Sequence, residues 1–157
     1  MYLQSQSTVR IKSADEDAIK CNANAAVQLY YDNTLAFQTA LAGGVDIVNY
    51  AKSGLVALSD SSTITVDFRT GTHFSVTLGG NRTFGDPNST GDAIGSSGSI
   101  FITQDGTGSR TASFHADYKF PGGTAPTLST AANAVDRLDY VIKAANVVHA
   151  VVTLDVK

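Results

Sequence analysis

Three histidines, His73, His115 and His149, are the side chains of this sequence best suited to holding a metal or moving a proton near neutral pH. They fall on three separate predicted strands with no cysteine nearby, and they read as solvent-facing or hydrogen-bonded strand histidines. The sharper alternative is a ring of one histidine from each of three chains on a symmetry axis, and His149, on a core-like strand, suits it best. Asp15-Glu16-Asp17 is acidic enough to attract a cation, but no series of spaced oxygen ligands follows as in a calcium loop. A solvated turn is the expectation there. Gly79-Gly80-Asn81-Arg82 and Asp105-Gly106-Thr107-Gly108-Ser109-Arg110 have the glycines of a phosphate cradle. Neither opens a helix after a strand, so both read as turns. Glycosidase chemistry needs two carboxylates about 5–10 Å apart across a cleft, and no such pair stands out. The sequence therefore assigns no catalytic, cofactor-binding or metal-ligating residue, and the expectation is a protein without enzymatic activity.

The 157 residues suffice for one ordinary domain, or a domain with an extension. Charged residues make up only 16%, which leaves little of the Glu/Lys surface typical of helices. With a net charge of -3 there is no electrostatic case for nucleic acid, nor a basic face for anionic lipid. Cys21, the only cysteine, excludes an internal disulfide and a cysteine-based zinc site, and reads as a small buried apolar residue. The N-terminal residues lack the apolar core of a signal peptide, and no run approaches membrane-spanning length. The expectation is a soluble product made in a cytoplasm.

Short strands dominate the pattern. Up to about Leu58 the apolar residues come in pairs at i, i+2: Val9/Ile11, Val27/Leu29, Leu35/Phe37 and Val45/Ile47. Asp32-Asn33 and Gly43-Gly44 are natural turns. A helix over Thr34–Leu41 is too short to be favoured over a strand. Ser59–Thr63 marks a change of pattern, which sets the expected domains at residues 1–58 and 59–157. Beyond it, Ile64, Val66 and Phe68 followed by Phe74, Val76 and Leu78 predict a hairpin turning at Thr70-Gly71-Thr72. Residues 79–98 read as a long surface loop. Ile100-Phe101-Ile102 predicts a strand, Gln104–Ser109 a hairpin loop, and Arg110–Phe114 the returning strand. Pro121-Gly122-Gly123 stops pairing. Arg137–Lys143 and Val147–Asp155 form the final pair about Ala144-Ala145-Asn146. The fold class is all-β: a fibre-like segment of short strands, then a β-sandwich or jelly-roll-like domain.

The order GGNRTFGDP, GSIFITQDGTGSRTASF, KFPGGTAPTLSTAANAVDRLDYVI and VHAVVTLD, over roughly Leu78 to Lys157, resembles a C-terminal domain of phage tail-fibre and other virion proteins. A second resemblance lies in Ala26–Val48. AVQLYYDN, FQT and GV are similar to a unit of phage tail-fibre shafts, with departures at Gln28, Leu35-Ala36 and Ala40-Leu41. Both resemblances imply a virion part assembled in the host cytoplasm, and the second implies a trimer.

The shortness of these strands also points to association. Strands this short cannot bury enough surface to offset the entropy of ordering about 50 residues. Three copies around one axis would bring Val27, Leu29, Phe37, Val45 and Ile47 into a shared interior. The expected partners are two further copies of the chain, other virion proteins of tail or capsid, and a host surface receptor, which Arg110 and Tyr118 beside turns are placed to contact. A capsid decoration protein of the same fold is the alternative role, and a spike-type carbohydrate-active enzyme is the third.

Overall fold

The computed structural model describes residues 8–13, 16–22, 26–32, 34–39, 44–47 and 53–157. The chain forms two compact units, Met1–Lys52 and Ser53–Lys157.

In the first unit, β1 (Thr8–Ser13), β2 (Glu16–Asn22), β3 (Val27–Tyr31), β4 (Thr34–Thr39) and β5 (Val45–Ile47) form an antiparallel meander in sequence order. Thr34–Thr39 is a strand, as favoured over a helix. Asp32, at the β3–β4 turn, takes a φ of 49°, a conformation that aspartate tolerates better than most residues. Asn33 and Gly43 lie outside the described residues.

Register makes this sheet two-faced. Ile11, Ile19, Leu29, Phe37 and Ile47 stand opposite one another across all five strands. One position along on the other face, Arg10, Lys20, Gln28, Gln38 and Asp46 do the same. Residues directly opposite share a face, so one face is an apolar row and the other a polar one. The polar row is hydrogen-bonded: the Gln28 amide donates to Gln38 at 3.0 Å, and Gln38 donates to the Asp46 carboxylate at 3.2 Å. Among the described side chains of this sheet none is fully buried.

The second unit holds β6 (Leu55–Ala57), β7 (Thr63–Ile64), β8 (His73–Leu78), β9 (Arg82–Phe84), β10 (Ser97–Gln104), β11 (Ala112–Phe114), β12 (Tyr118–Lys119), β13 (Val135–Ala144) and β14 (Val147–Thr153). Its start precedes the boundary expected at residue 59. The reason is β6, which pairs with β8 and so belongs to this unit.

Two sheets, β12-β14-β13-β10-β8-β6 and β11-β9-β7, share one core. This two-layer arrangement matches a sandwich, but its connectivity is not that of a jelly roll. From β6 to β11 the chain alternates between the sheets, and β6, β8 and β10 pair in parallel, as do β7, β9 and β11. The chain thus winds as a short coil, each turn stacked on the one before. β13 ends the coil by pairing antiparallel to β10, and β14 folds back on β13.

The hairpins expected on either side of Thr70-Gly71-Thr72 and Gln104–Ser109 are therefore corrected. Both links carry the chain between sheets, and Phe74–Leu78 pairs with β6 and β10 instead. Val66 and Phe68 are buried without belonging to a strand. Residues 79–98 are not simply a surface loop, because they contain β9 and the buried Phe84, Thr90 and Ala93. The β13–β14 pair forms about Ala145-Asn146 as expected.

The core is laid down in rows. Val56, Phe74, Ile100, Leu138 and Val152 stand opposite one another across five strands of the larger sheet. Phe84 and Phe114 stack from the smaller sheet with ring centroids 5.0 Å apart. The buried polar side chains Gln104 and Asp136 are satisfied. The Gln104 side chain both donates to and accepts from the Arg110 backbone at 2.8 Å. The Asp136 carboxylate accepts the Ser129 and Asp155 amides, both at 2.8 Å.

Candidate functional site

The five residues expected to line a shared core lie in one sheet and on one face. Leu29, Phe37 and Ile47 occupy the apolar row, and Val27 and Val45 a second row two residues along. Cys21, opposite Val27, lies on that face half-buried rather than buried. In β3 the exposure runs against polarity: Val27, Leu29 and Tyr31 are exposed while Gln28 and Tyr30 are half-buried. Ile11 is 52% exposed, Leu29 38%, Val45 56% and Ile47 49%. A sheet face of this composition is ordinarily covered.

The two expected receptor contacts do not come together as a surface. Tyr118 is only 4% exposed, and its ring packs against Phe114 with centroids 5.8 Å apart. Alternation in β12, set by pairing with β14, turns Tyr118 inward and Lys119 outward. That is a correction. Burial first, then the neighbouring Tyr140 hydroxyl and the Asp86 and Asp117 carboxylates, push its hydroxyl well above the ordinary tyrosine range. Arg110 is half-buried and engaged within its own loop. Its Nε and Nη2 donate to the Asp105 carboxylate at 3.0 and 2.7 Å, and these hydrogen bonds hold Asp105 below the usual carboxylate range. Arg110 therefore shapes the loop from its base.

Neither His73 nor His149 belongs to a group of three potential metal ligands among the described residues. His73 lies on β8, and His149 on β14 opposite Val141. His149 borders a shallow groove of about 490 Å³, with Lys119, Phe120, Tyr140, Val141 and Val151 among its other walls. Asp139, at the groove's edge, accepts from Ser99 at 2.6 Å and Arg137 at 3.0 Å. With its carboxylate so engaged, the groove presents apolar surface rather than an acid and a base. His115 differs from the other two: it follows β11 and stands beside Asp117, with Nδ1 3.6 Å from the carboxylate. Asp117 lies two positions along the chain, a spacing visible in the sequence, although no second ligand at i+2 or i+4 is expected there beside any of the three histidines; that is a correction.

The Asp60–Arg82 pair also leaves no mark in the local sequence pattern. Arg82 Nε and Nη2 donate to Asp60 at 2.6 and 2.7 Å, linking the β6–β7 connection to β9. No local spacing announces a pair 22 residues apart.

The C-terminal unit is built of two stacked β layers on one core, joined by hydrogen-bonded loops. A family model described as "Putative phage tail fibre C-terminal domain" matches residues 61–143, just over half of the chain and wholly within the second unit. The chain belongs to this family, and it is a structural component of a phage virion with a tail-fibre role. The match begins before the stretch that carried the C-terminal resemblance and ends within β13. No curated protein and no solved structure matches the chain.

Proposed function

We propose that this protein is a trimeric component of a phage tail fibre. Its N-terminal sheet serves as the self-association module, and its C-terminal unit carries a host-contacting surface. The role is structural rather than catalytic, and assembly takes place in the host cytoplasm. The observation that carries this reading is the row Ile11, Ile19, Leu29, Phe37 and Ile47 with Val27 and Val45 beside it. None of these seven is charged and none is buried. The occupant that fits is a further copy of the same face, because an apolar surface without charge is complementary to itself. Full burial of each such side chain is worth roughly 1.5–3 kcal/mol. Several per chain supply what a single-layer sheet lacks.

Light scattering on the purified chain is expected to give a trimer at micromolar concentration. Leu29→Asp would place carboxylates from all copies in one dry interior, where each must be desolvated or take up a proton. Assembly should fail. Gln28→Asp, on the opposite face, should leave it intact. A monomeric parent, or a Leu29→Asp variant that assembles normally, overturns the reading. A low copy number per virion is expected, and one matching the capsid lattice would favour the decoration role instead.

A further inference from the structure

Asp86, His115 and Asp117 each offer one ligand atom, and those atoms lie within 4.8 Å of one another. Backbone pairing brings them together. β9 and β11 are parallel neighbours with Phe84 opposite Phe114, and the His115 amide donates to the Phe84 carbonyl at 2.7 Å. The two strands end side by side, so Asp86, two residues past Phe84, meets His115, one past Phe114. A tight turn follows, closed by the Tyr118 amide donating to the His115 carbonyl at 3.0 Å. That turn returns Asp117 to His115, and the Asp117 carbonyl is itself fixed by the Val148 amide at 2.9 Å.

A second observation comes from Tyr118. Tyr118 follows Asp117 directly in the chain, and its buried hydroxyl has no hydrogen-bond partner among the described residues. A buried O–H left unpaired is costly. A bound water, including one held by an ion, can satisfy such a group.

We propose that Asp86, His115 and Asp117 form a binding site for a divalent transition-metal cation, with Zn²⁺ the best match. One imidazole with two carboxylates is a mixed nitrogen and oxygen set, which favours such ions over Mg²⁺ and Ca²⁺. Bonds of about 2.0–2.2 Å put ligand atoms roughly 3–3.5 Å apart on one ion. Asp86 and His115 are exposed, so rotation of their side chains closes the set. The ion would tie together the ends of two successive turns of the coil, at the edge of the smaller sheet. Three protein ligands leave positions open to water.

The test uses the full chain, stripped with EDTA and titrated with ZnCl₂ by calorimetry, with MgCl₂ and CaCl₂ in parallel. One saturable Zn²⁺ site per chain is expected, with no comparable Mg²⁺ or Ca²⁺ binding. His115→Ala and Asp86→Asn should each weaken it at least about tenfold. Circular dichroism should show both variants folded. His73→Ala and His149→Ala should bind as the parent does. Leu29→Asp should also retain the site, which separates this inference from the assembly reading. Absence of a saturable site, as a plain His–Asp ion pair would give, overturns the proposal. So does binding that survives His115→Ala, or that is lost equally in His149→Ala.

Discussion

Replacing Asp136 with alanine removes a carboxylate that holds three segments of the C-terminal unit together. Asp136 is 2% exposed on β13, opposite Ile102 in the core row that also contains Val76. Its two oxygens divide the work: Oδ2 accepts the Ser129 amide from the segment before β13, and Oδ1 accepts the Asp155 amide just past β14, both at 2.8 Å. Hydrogen bonds to a charged group are worth about 1.5–3 kcal/mol each. Asp155 is exposed, so water can replace its partner, whereas Ser129 is half-buried and pays more of the cost. Removing a buried charge recovers some desolvation energy. The net loss for Asp136→Ala should be about 2–4 kcal/mol. Asp136→Asn, which retains one acceptor oxygen, should lie between the variant and the parent. Urea unfolding at one fixed protein concentration measures the loss, since association would otherwise shift the midpoint. Hydrogen exchange should localise it, with the Ser129 and Asp155 amides exchanging faster while those at the centre of β10 keep their protection relative to global stability. Asp139→Asn, on the outer face of the same strand, should cost less than about 1 kcal/mol. A loss below about 1 kcal/mol for Asp136→Ala, or unchanged exchange at Ser129 and Asp155, would show that the carboxylate is not the anchor.

Gly98→Ala should be among the most damaging single-methyl changes in the chain. The added Cβ would overlap the Thr72 carbonyl oxygen and lie 2.8 Å from the Tyr140 hydroxyl, which itself donates to that carbonyl at 2.9 Å. A loss on the order of 3 kcal/mol is expected in chemical unfolding, and near-parental stability would mean β8 and β10 separate more readily than their pairing implies. Acidification should destabilise the C-terminal unit. The Arg69 guanidinium and backbone amide hold Asp67 down to about 2, and Arg82 and Arg110 lower Asp60 and Asp105 in the same way. Stability from a depressed carboxylate is complete above its unfolded-state value near 4 and is lost as pH falls through its folded-state value. The melting temperature should therefore drop as pH falls from about 4 towards 2, and drop less in Asp67→Asn. A variant with the parental pH profile would remove Asp67 from that account.

Alternation in the sequence was enough to determine which residues share a face. Val27, Leu29, Phe37, Val45 and Ile47 were grouped from spacing alone, and the sheet places them in adjacent rows. The β13–β14 pair was legible for the same reason, because a short link between two alternating runs leaves few alternatives to a hairpin. Alternation has the same period in parallel and antiparallel pairs, so it could not say that Phe74–Leu78 would pair with strands on both sides in parallel. That choice belongs to the tertiary structure, where winding between two sheets lets Phe74, Ile100 and Leu138 line up across one core. Tyr118 was misplaced because its direction depends on pairing with Val148, 30 residues on. The meeting of Asp86 with His115 has the same origin. It rests on Phe84 standing opposite Phe114, a contact between successive turns of the coil that no local spacing encodes.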